Sequence, residues 1–475
     1  MKRVIALLFF LLFSSISFSQ QDEADSTVVL KFDEFYALVL SNHPVVRQAE
    51  LLTEQAAQEL RLARGGFDPK LEGTYNLKNF KDLEYYDKLD LSLKIPVWFP
   101  VDPKVGIERN EGEFLNRENN VSSSPNGQQI YAGISLPVGK GLFIDKRRAT
   151  VKQARLFQEM AEAEQIKEIN KILLTVAKDY WNWFYAYNNY LLLQQSIAIA
   201  QDIFDRTKVG FEYGEVAAID TVQAKITLLQ RITDFQQANI ERGQSSLVLS
   251  NHLWSADGAP LELADNVRPE ELVTSVFEDT LLTQLVEMAR INHPELRKLE
   301  LKNRSLLVDR SLARENLKPR LDLNYSLLDQ PFNSNGESNN LGLTDNYKLG
   351  VDLSFPLFLR KERAKLGQTN LKIQDNNFER DFREREIINS INGEYIALVN
   401  TGAILDQQQQ MVNSYQRIVA AERLNLQNGE SDLFKINLQV DKLIESQSKL
   451  LKLKSTYQKN VANLYWAAGV TNLGR

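Results

Sequence analysis

The apolar positions of this chain alternate between two periods, one near three and a half residues and one of two. From Ile166, the residues Ile169, Leu173, Val176, Tyr180, Trp183, Tyr187 and Tyr190 follow at steps of 3 and 4 in turn, which is the seam of a coiled coil. They belong to a run of 68 residues, Leu142 to Val209, that contains neither glycine nor proline. As one helix this run would be on the order of 100 Å long. A break at Gly210 to Gly214 leads into a shorter helix, from about Val216 to Trp254, with Ile219, Val222, Ile226 and Leu229 on one face. The pattern predicts two antiparallel helices joined by a tight turn.

A second helical pair is predicted from Lys361 to Asn428 and from Glu430 to Ala468, turning at Gly429. Gly367, Gly393 and Gly402 predict a kink or a split in its first arm. Ahead of each pair the period becomes two. Leu71, Gly73, Tyr75 and Leu77 alternate with polar residues, as do Ile130, Ala132, Ile134 and Leu136 before Pro137. In the second half the same holds for Leu321, Leu323, Tyr325 and Leu327, and for Leu349, Val351, Leu353 and Phe355 before Pro356. Each set predicts an antiparallel strand pair with one apolar and one polar face. The first half is longer here, and Leu89, Leu91, Leu93 and Ile95 alternate inside the surplus. They predict an added hairpin with its return strand near Lys104 to Phe114, followed by a polar loop at 118–128.

The two halves are copies. Asn42-His43-Pro44, Arg47, Glu50-Leu51, Leu62-Ala63-Arg64, Pro69, Leu71, Tyr75 and Leu77 recur without gaps 250 positions later, giving 13 identities in the 36 positions from 42 to 77. Chance would give roughly two. Residues 1–19 read as a secretory signal, with Lys2-Arg3, an apolar run and Ser17-Phe18-Ser19. The predicted organisation is then residues 20–258 as the first copy (helix 44–67, strands 71–137, helical hairpin 142–254). Residues 259–475 form the second (helix 294–317, strands 321–356, helical hairpin 361–468).

The absence of cysteine excludes disulfides and thiolate metal sites in an exported chain. The formal charge of −6, or −8 without Lys2 and Arg3, argues against nucleic acid as a partner. Three histidines are too few and too scattered for a metal site. His43 and His293 stand at matching turns before prolines, which points to a structural role. No phosphate loop, nucleophile elbow or zinc-binding helix occurs, so no catalytic residue and no cofactor is expected, and the chain does not read as an enzyme. The aromatic cluster around Tyr180, Trp181, Trp183 and Phe184 reads as helix packing.

Short two-faced strands cannot leave open edges in lipid, but several chains could pool them around a water-filled lumen. At this point the order of elements, duplicated, with Asn-His-Pro turns, glycine turns and the Gly141 to Ala149 stretch (GLFIDKRRA), resembles the TolC-like outer membrane efflux protein family. The resemblance covers essentially the whole mature chain. It implies a mainly α fold with a membrane β-barrel. Tandem-duplicated long α-hairpins would form a trimeric α-barrel tunnel continuous with a twelve-stranded β-barrel, with about four strands per chain. The pattern leaves open whether the added hairpin of the first copy joins the barrel wall.

The resemblance further implies an outer-membrane exit duct of a tripartite efflux or type I secretion system, in a Gram-negative outer membrane with its tunnel in the periplasm. The partners would be two more copies in a homotrimer, a periplasmic adaptor (membrane fusion) protein, an inner-membrane transporter of RND, ABC or MFS type, and outer-membrane lipid. The turns at Gly210, Gly214 and Gly429 would be the periplasmic tips that dock the adaptor. Asp220 falls where the family's first tip carries an aspartate used in closing. Lys435, Leu438 and Ser431 depart from the paired aspartates and the arginine of some relatives, so Glu215, Glu430 and Asp432 are candidates for an acidic ring, with Lys435 as a bridge to Asp220. The same acidic residues would also suit a helix N-terminus through its dipole. A secreted coiled-coil scaffold or adhesin without a pore is the alternative reading.

Overall fold

The computed structural model describes residues 28–116, 118, 128–272, 280–329 and 345–470. The signal read at 1–19 and most of the loop read at 118–128 lie outside them. In chain order the elements are β1 (Val28–Leu30), α1 (Phe32–Asn42), α2 (Pro44–Arg64), β2 (Lys70–Phe80), β3 (Leu83–Lys94), β4 (Asp102–Glu111) and β5 (Gln128–Pro137). They are followed by α3 (Lys146–Glu212), α4 (Ala218–Ser250), β6 (Val267–Pro269), α5 (Leu281–Asn292), α6 (Pro294–Glu315), β7 (Arg320–Asp329), β8 (Tyr347–Ser354), α7 (Arg360–Gln427) and α8 (Leu433–Ala467).

The repeated His-Pro turns are helix starts. Proline occupies the first position of α2 and of α6, where its missing N–H is no loss. The preceding histidine is held extended, and its Nδ1 accepts from the N–H two residues on, Val45 at 3.2 Å and Glu295 at 3.3 Å. His43 and His293 are therefore N-caps, a duty usually given to Ser, Thr, Asp or Asn.

α3 has 67 residues and α7 has 68, long enough for about 100 Å each. α7 runs through Gly367, Gly393 and Gly402 without a break, contrary to the split that its glycines predict. Each glycine costs only about 1 kcal/mol against alanine, and side-chain packing along the arm exceeds that. At Gly402 the missing side chain lets the Tyr457 ring approach within 3.4 Å of where a Cβ would lie.

Six of the described strands form an antiparallel sheet in the order β2-β3-β4-β5-β7-β8. Its registers put Leu71 opposite Leu93, Leu93 opposite Val105, Val105 opposite Ala132, Ala132 opposite Leu327, and Leu327 opposite Tyr347. Because alternate residues share a face, one side of the sheet is apolar across all six strands. That side is the open one: Leu71 is 79% and Leu353 72% exposed. The polar side is the sheltered one, with Ser92, Asn110, Gln129 and Tyr131 buried and the Tyr131 hydroxyl donating to Asp90 at 2.9 Å. The sheet thus curls around its polar face. The β2–β3 turn is tight, with Lys81 and Asp82 both at positive φ (53° and 58°), the geometry of a type I′ hairpin.

The chain forms two compact units. The first comprises Met1–Asn42, Val176–Ser275 and Ile404–Thr456. In it β1 pairs in parallel with β6, and Tyr180 packs between Phe32 and Phe35 of α1, ring centroids 5.2 and 5.6 Å away, while donating its hydroxyl to the Leu30 carbonyl. Ile203, Val419, Ile436, Val440 and Ile444 join α3, α7 and α8 in one apolar cluster. The second unit comprises His43–Thr175, Val276–Ala403 and Tyr457–Arg475. It holds the sheet, and Leu60 and Ala63 of α2 pack there on Val151 and Ala154 of α3.

In the second unit the start of α6 is electrostatically loaded. Burial holds the His293 imidazole below its ordinary value of 6.5, which keeps Nδ1 free to accept. Burial alone would raise the Glu295 carboxyl, but the hydrogen bond and charge of Lys167, 3.0 Å away, and the charge of Arg383, 3.5 Å away, bring it below 4.5. Both shifts favour the deprotonated form in the fold, so the unfolded chain binds more protons and stability falls on acidification. We predict that stability begins to fall as the pH drops below 6.5, where the imidazole of the unfolded chain takes up a proton that the buried His293 cap resists, and that the loss is complete once the cap itself protonates at lower pH. His293→Asn keeps a capping acceptor that does not titrate, and denaturant unfolding from pH 7.5 to 5.5 should then show a shallower loss; an unchanged slope would remove His293 from the account.

Candidate functional site

The two turns between the long helices lie in the first unit, and each is closed by its backbone. At the first, the Gly214 N–H donates to the Phe211 carbonyl (3.0 Å) and the Glu215 N–H to the Gly210 carbonyl (2.9 Å). At the second, the Gly429 N–H donates to Leu426 (3.0 Å) and the Glu430 N–H to Asn425 (2.8 Å). These crossed bonds satisfy the last helical carbonyls and require a left-handed residue after the helix. Gly214 and Gly429 supply it, at φ +78° and +75°. Gly210 does not: it lies inside α3, which runs on to Glu212, and its part in the turn is the carbonyl.

The return helices are then capped by aspartate from two different positions. α4 begins after Ala217, which has no side-chain acceptor, and Asp220 reaches back to accept from the Ala217 N–H at 3.0 Å. α8 begins after Asp432, whose Oδ1 accepts from the Lys435 N–H at 2.8 Å. Positions 217 and 432 are equivalent, as are 220 and 435, each pair 215 apart. With the carboxylate at the cap itself, the third helical position is free to be lysine. The Lys435 ammonium stands 3.7 Å from Asp432, an exposed pair of little worth. The bridge from Lys435 to Asp220 is not among the contacts of the described residues.

Glu215 and Glu430 are exposed, and among the described residues neither side chain makes a hydrogen bond or an ion pair. The turns also present large apolar groups. Phe211 and Tyr213 are exposed at the first. Ile219 and Phe434, equivalent residues five positions after each turn glycine, are 69% and 66% exposed. The sequence reading passes over Phe434, and only its equivalence to Ile219 marks it. Ser431, which the sequence marks only as a departure from the arginine of some relatives, donates its hydroxyl to Glu422 at 2.6 Å and ties the second turn to α7. The turns therefore expose acidic and apolar groups side by side.

The caps predict local losses. Asp432→Ala should expose the Lys435 amide and Asp220→Ala the Ala217 amide to faster hydrogen exchange, each change costing about 1 kcal/mol of helix stability. Gly214→Ala and Gly429→Ala meet nothing within 4 Å, yet should cost about 1–2 kcal/mol through the left-handed backbone alone. Unaltered exchange at both amides would reject the capping assignment.

A family profile described as outer membrane efflux protein matches residues 110–253 and 285–470, more than two thirds of the chain. No curated protein sequence matches significantly. Among solved structures, the CmeC outer membrane channel of Campylobacter jejuni is similar at 15% identity and a TM-score of 0.63, over 92% of this chain and 85% of that one. The outer membrane protein VceC of Vibrio cholerae is similar at 14% and 0.64, over 92% and 96%. The MtrE outer membrane channel of Neisseria gonorrhoeae, in its open state, is similar at 14% and 0.62, over 92% and 88%. At these identities the likeness speaks for the fold.

Proposed function

The chain belongs to the outer membrane efflux protein family, and on that premise we propose that this outer-membrane channel is the exit duct of a tripartite efflux or type I secretion system, working as a homotrimer. The sheet is the observation that carries the reading. No helix among the described residues is long and apolar enough to cross a membrane, whereas the strands of the sheet have 8 to 12 residues each, close to the roughly 9–11 that span a bilayer when tilted. Its outward face is apolar and its sheltered face polar, the arrangement of a barrel wall around water. A pore-free scaffold has no use for such a sheet.

In this reading three copies close the wall, and their long helices continue the duct through the periplasm. Gly210, Gly214 and Gly429 form tips that dock a periplasmic adaptor, which links the duct to an inner-membrane transporter of RND, ABC or MFS type. The exposed Phe211, Tyr213, Ile219 and Phe434 give the adaptor an apolar footing. Glu215 and Glu430, with Asp220, Asp432 and Lys435 nearby in sequence, set the charge of the closed tip. Nothing in the chain harvests energy, so opening is a population shift toward whichever tip state the adaptor binds more tightly.

Planar-bilayer recording tests both levels. The purified protein should insert and conduct, with low open-state occupancy; failure to conduct in any lipid would reject the channel role. Asp220→Asn retains a capping acceptor but removes the charge, and Glu430→Lys reverses a charge that holds no structural bond. Both should raise open occupancy. If occupancy is unchanged in both, these residues cap helices and do not gate.

A further inference from the structure

We propose that the hairpin β3–β4 is part of the lipid-facing wall, so that each chain contributes six strands, and that three chains close an eighteen-stranded barrel in which β8 of one copy pairs with β2 of the next. The inference rests on the trimeric-duct reading above. It adds the surplus hairpin of the first copy, whose place in the wall the sequence leaves open, to the four strands per chain that the family resemblance implies.

Hydrogen bonding places the hairpin inside the sheet. β2 pairs with β3, and β5 pairs with β4 on one side and β7 on the other. β2 and β5 are not neighbours, so taking the hairpin out of the wall would strand both. The face pattern agrees. Leu91 lies opposite Ile107, and Ile107 opposite Ile130; Leu93 lies opposite Val105, and Val105 opposite Ala132. The apolar face of the hairpin therefore continues that of the strands on either side. A plug inside the lumen or a loop outside the membrane would not need it, and Leu91, Leu93 and Val105 are all exposed. On the other face Ser92 and Asn110 are buried with Gln129 and Tyr131, and Tyr131 bonds to Asp90 across the hairpin. The lining of the curl thus includes the hairpin's own residues.

The two ends of the sheet identify what covers them. Among the described residues β2 and β8 each have one side without a partner strand, and an unpaired edge is excluded from hydrocarbon. In a six-stranded antiparallel sheet the first and last strands run in opposite directions. A copy rotated about the barrel axis therefore presents β8 antiparallel to β2 of its neighbour. Leu349, Val351 and Leu353 on β8 and Leu71, Tyr75 and Leu77 on β2 keep the outward face apolar through that seam. Every copy carries one edge of each kind, so the contact is heterologous and closes as a ring. Barrel diameter grows roughly linearly with strand number, so eighteen strands give a mouth about 1.5 times as wide as twelve, in the range of barrels that hold an aqueous channel.

The chain has no cysteine, which makes single-site labelling clean. Nitroxide labels at Leu91→Cys and Val105→Cys, at Val351→Cys as the reference strand and at Glu108→Cys on the sheltered face would be placed in lipid vesicles, one per protein. Collision with oxygen should dominate at 91, 105 and 351, and collision with a water-soluble nickel chelate should dominate at 108. Nickel dominance at 91 and 105 with oxygen dominance at 351 would overturn the six-strand wall and leave the channel reading intact. Nickel dominance at 351 as well would overturn both. Native mass spectrometry of the same detergent-solubilised variants should give three chains per particle, and two chains, which would make twelve strands, would overturn the count of eighteen.

Discussion

A backbone N–H or C=O in hydrocarbon has nothing to bond to but another backbone, and this constraint governs how the chain can meet a membrane. Among the described residues no helix offers a span, since the long ones mix charged residues along their whole length. What remains is the sheet, whose six strands pair with one another and, among the described residues, leave one side of β2 and one side of β8 without a partner strand. The apolar outer face, the polar curl and the need for further copies all follow from the same requirement. In water this would be a poor protein surface; in lipid it is the only permissible one.

Duplication shows how one structural need can be met by different residues. Both copies start their second helix with the same His-Pro device, the imidazole standing where a serine or aspartate usually does. At the turns of the long hairpins the copies have diverged. One caps through Asp220 from inside the helix and the other through Asp432 from its edge. The divergence explains why Lys435 and Asp220, equivalent by position, have opposite charge. The need is a filled acceptor near the first free amides, and the position that fills it can move.

Much of this architecture was legible in the sequence. Period-two alternation located the strands because one face of each must be apolar, and the glycine- and proline-free run located the long rod because nothing in it opposes a helix. The rest depended on contacts between distant segments. The hairpin turn at Lys81-Asp82 carries no glycine, so nothing local announces its positive φ. The glycines of α7 carry a real helix penalty, but a modest one that packing outweighs. The place of β3–β4 in the sheet depends on which strand its neighbours pair with, and register is not written in either hairpin alone. At the turns, Glu215 and Glu430 could be singled out by charge and Phe434 only by its equivalence to Ile219, whereas the Ser431–Glu422 bond appears only in three dimensions.

The outward face of the sheet also governs the life of the chain before it reaches its membrane. A single copy in water exposes side chains such as Leu71, Leu349, Val351 and Leu353 beside two unpaired strand edges, the combination that drives aggregation. Solitary chains are thus poorly suited to waiting. Anything that binds the folded chain and covers that face and those edges would add to its stability by mass action, and the chain's own contacts do not supply that cover.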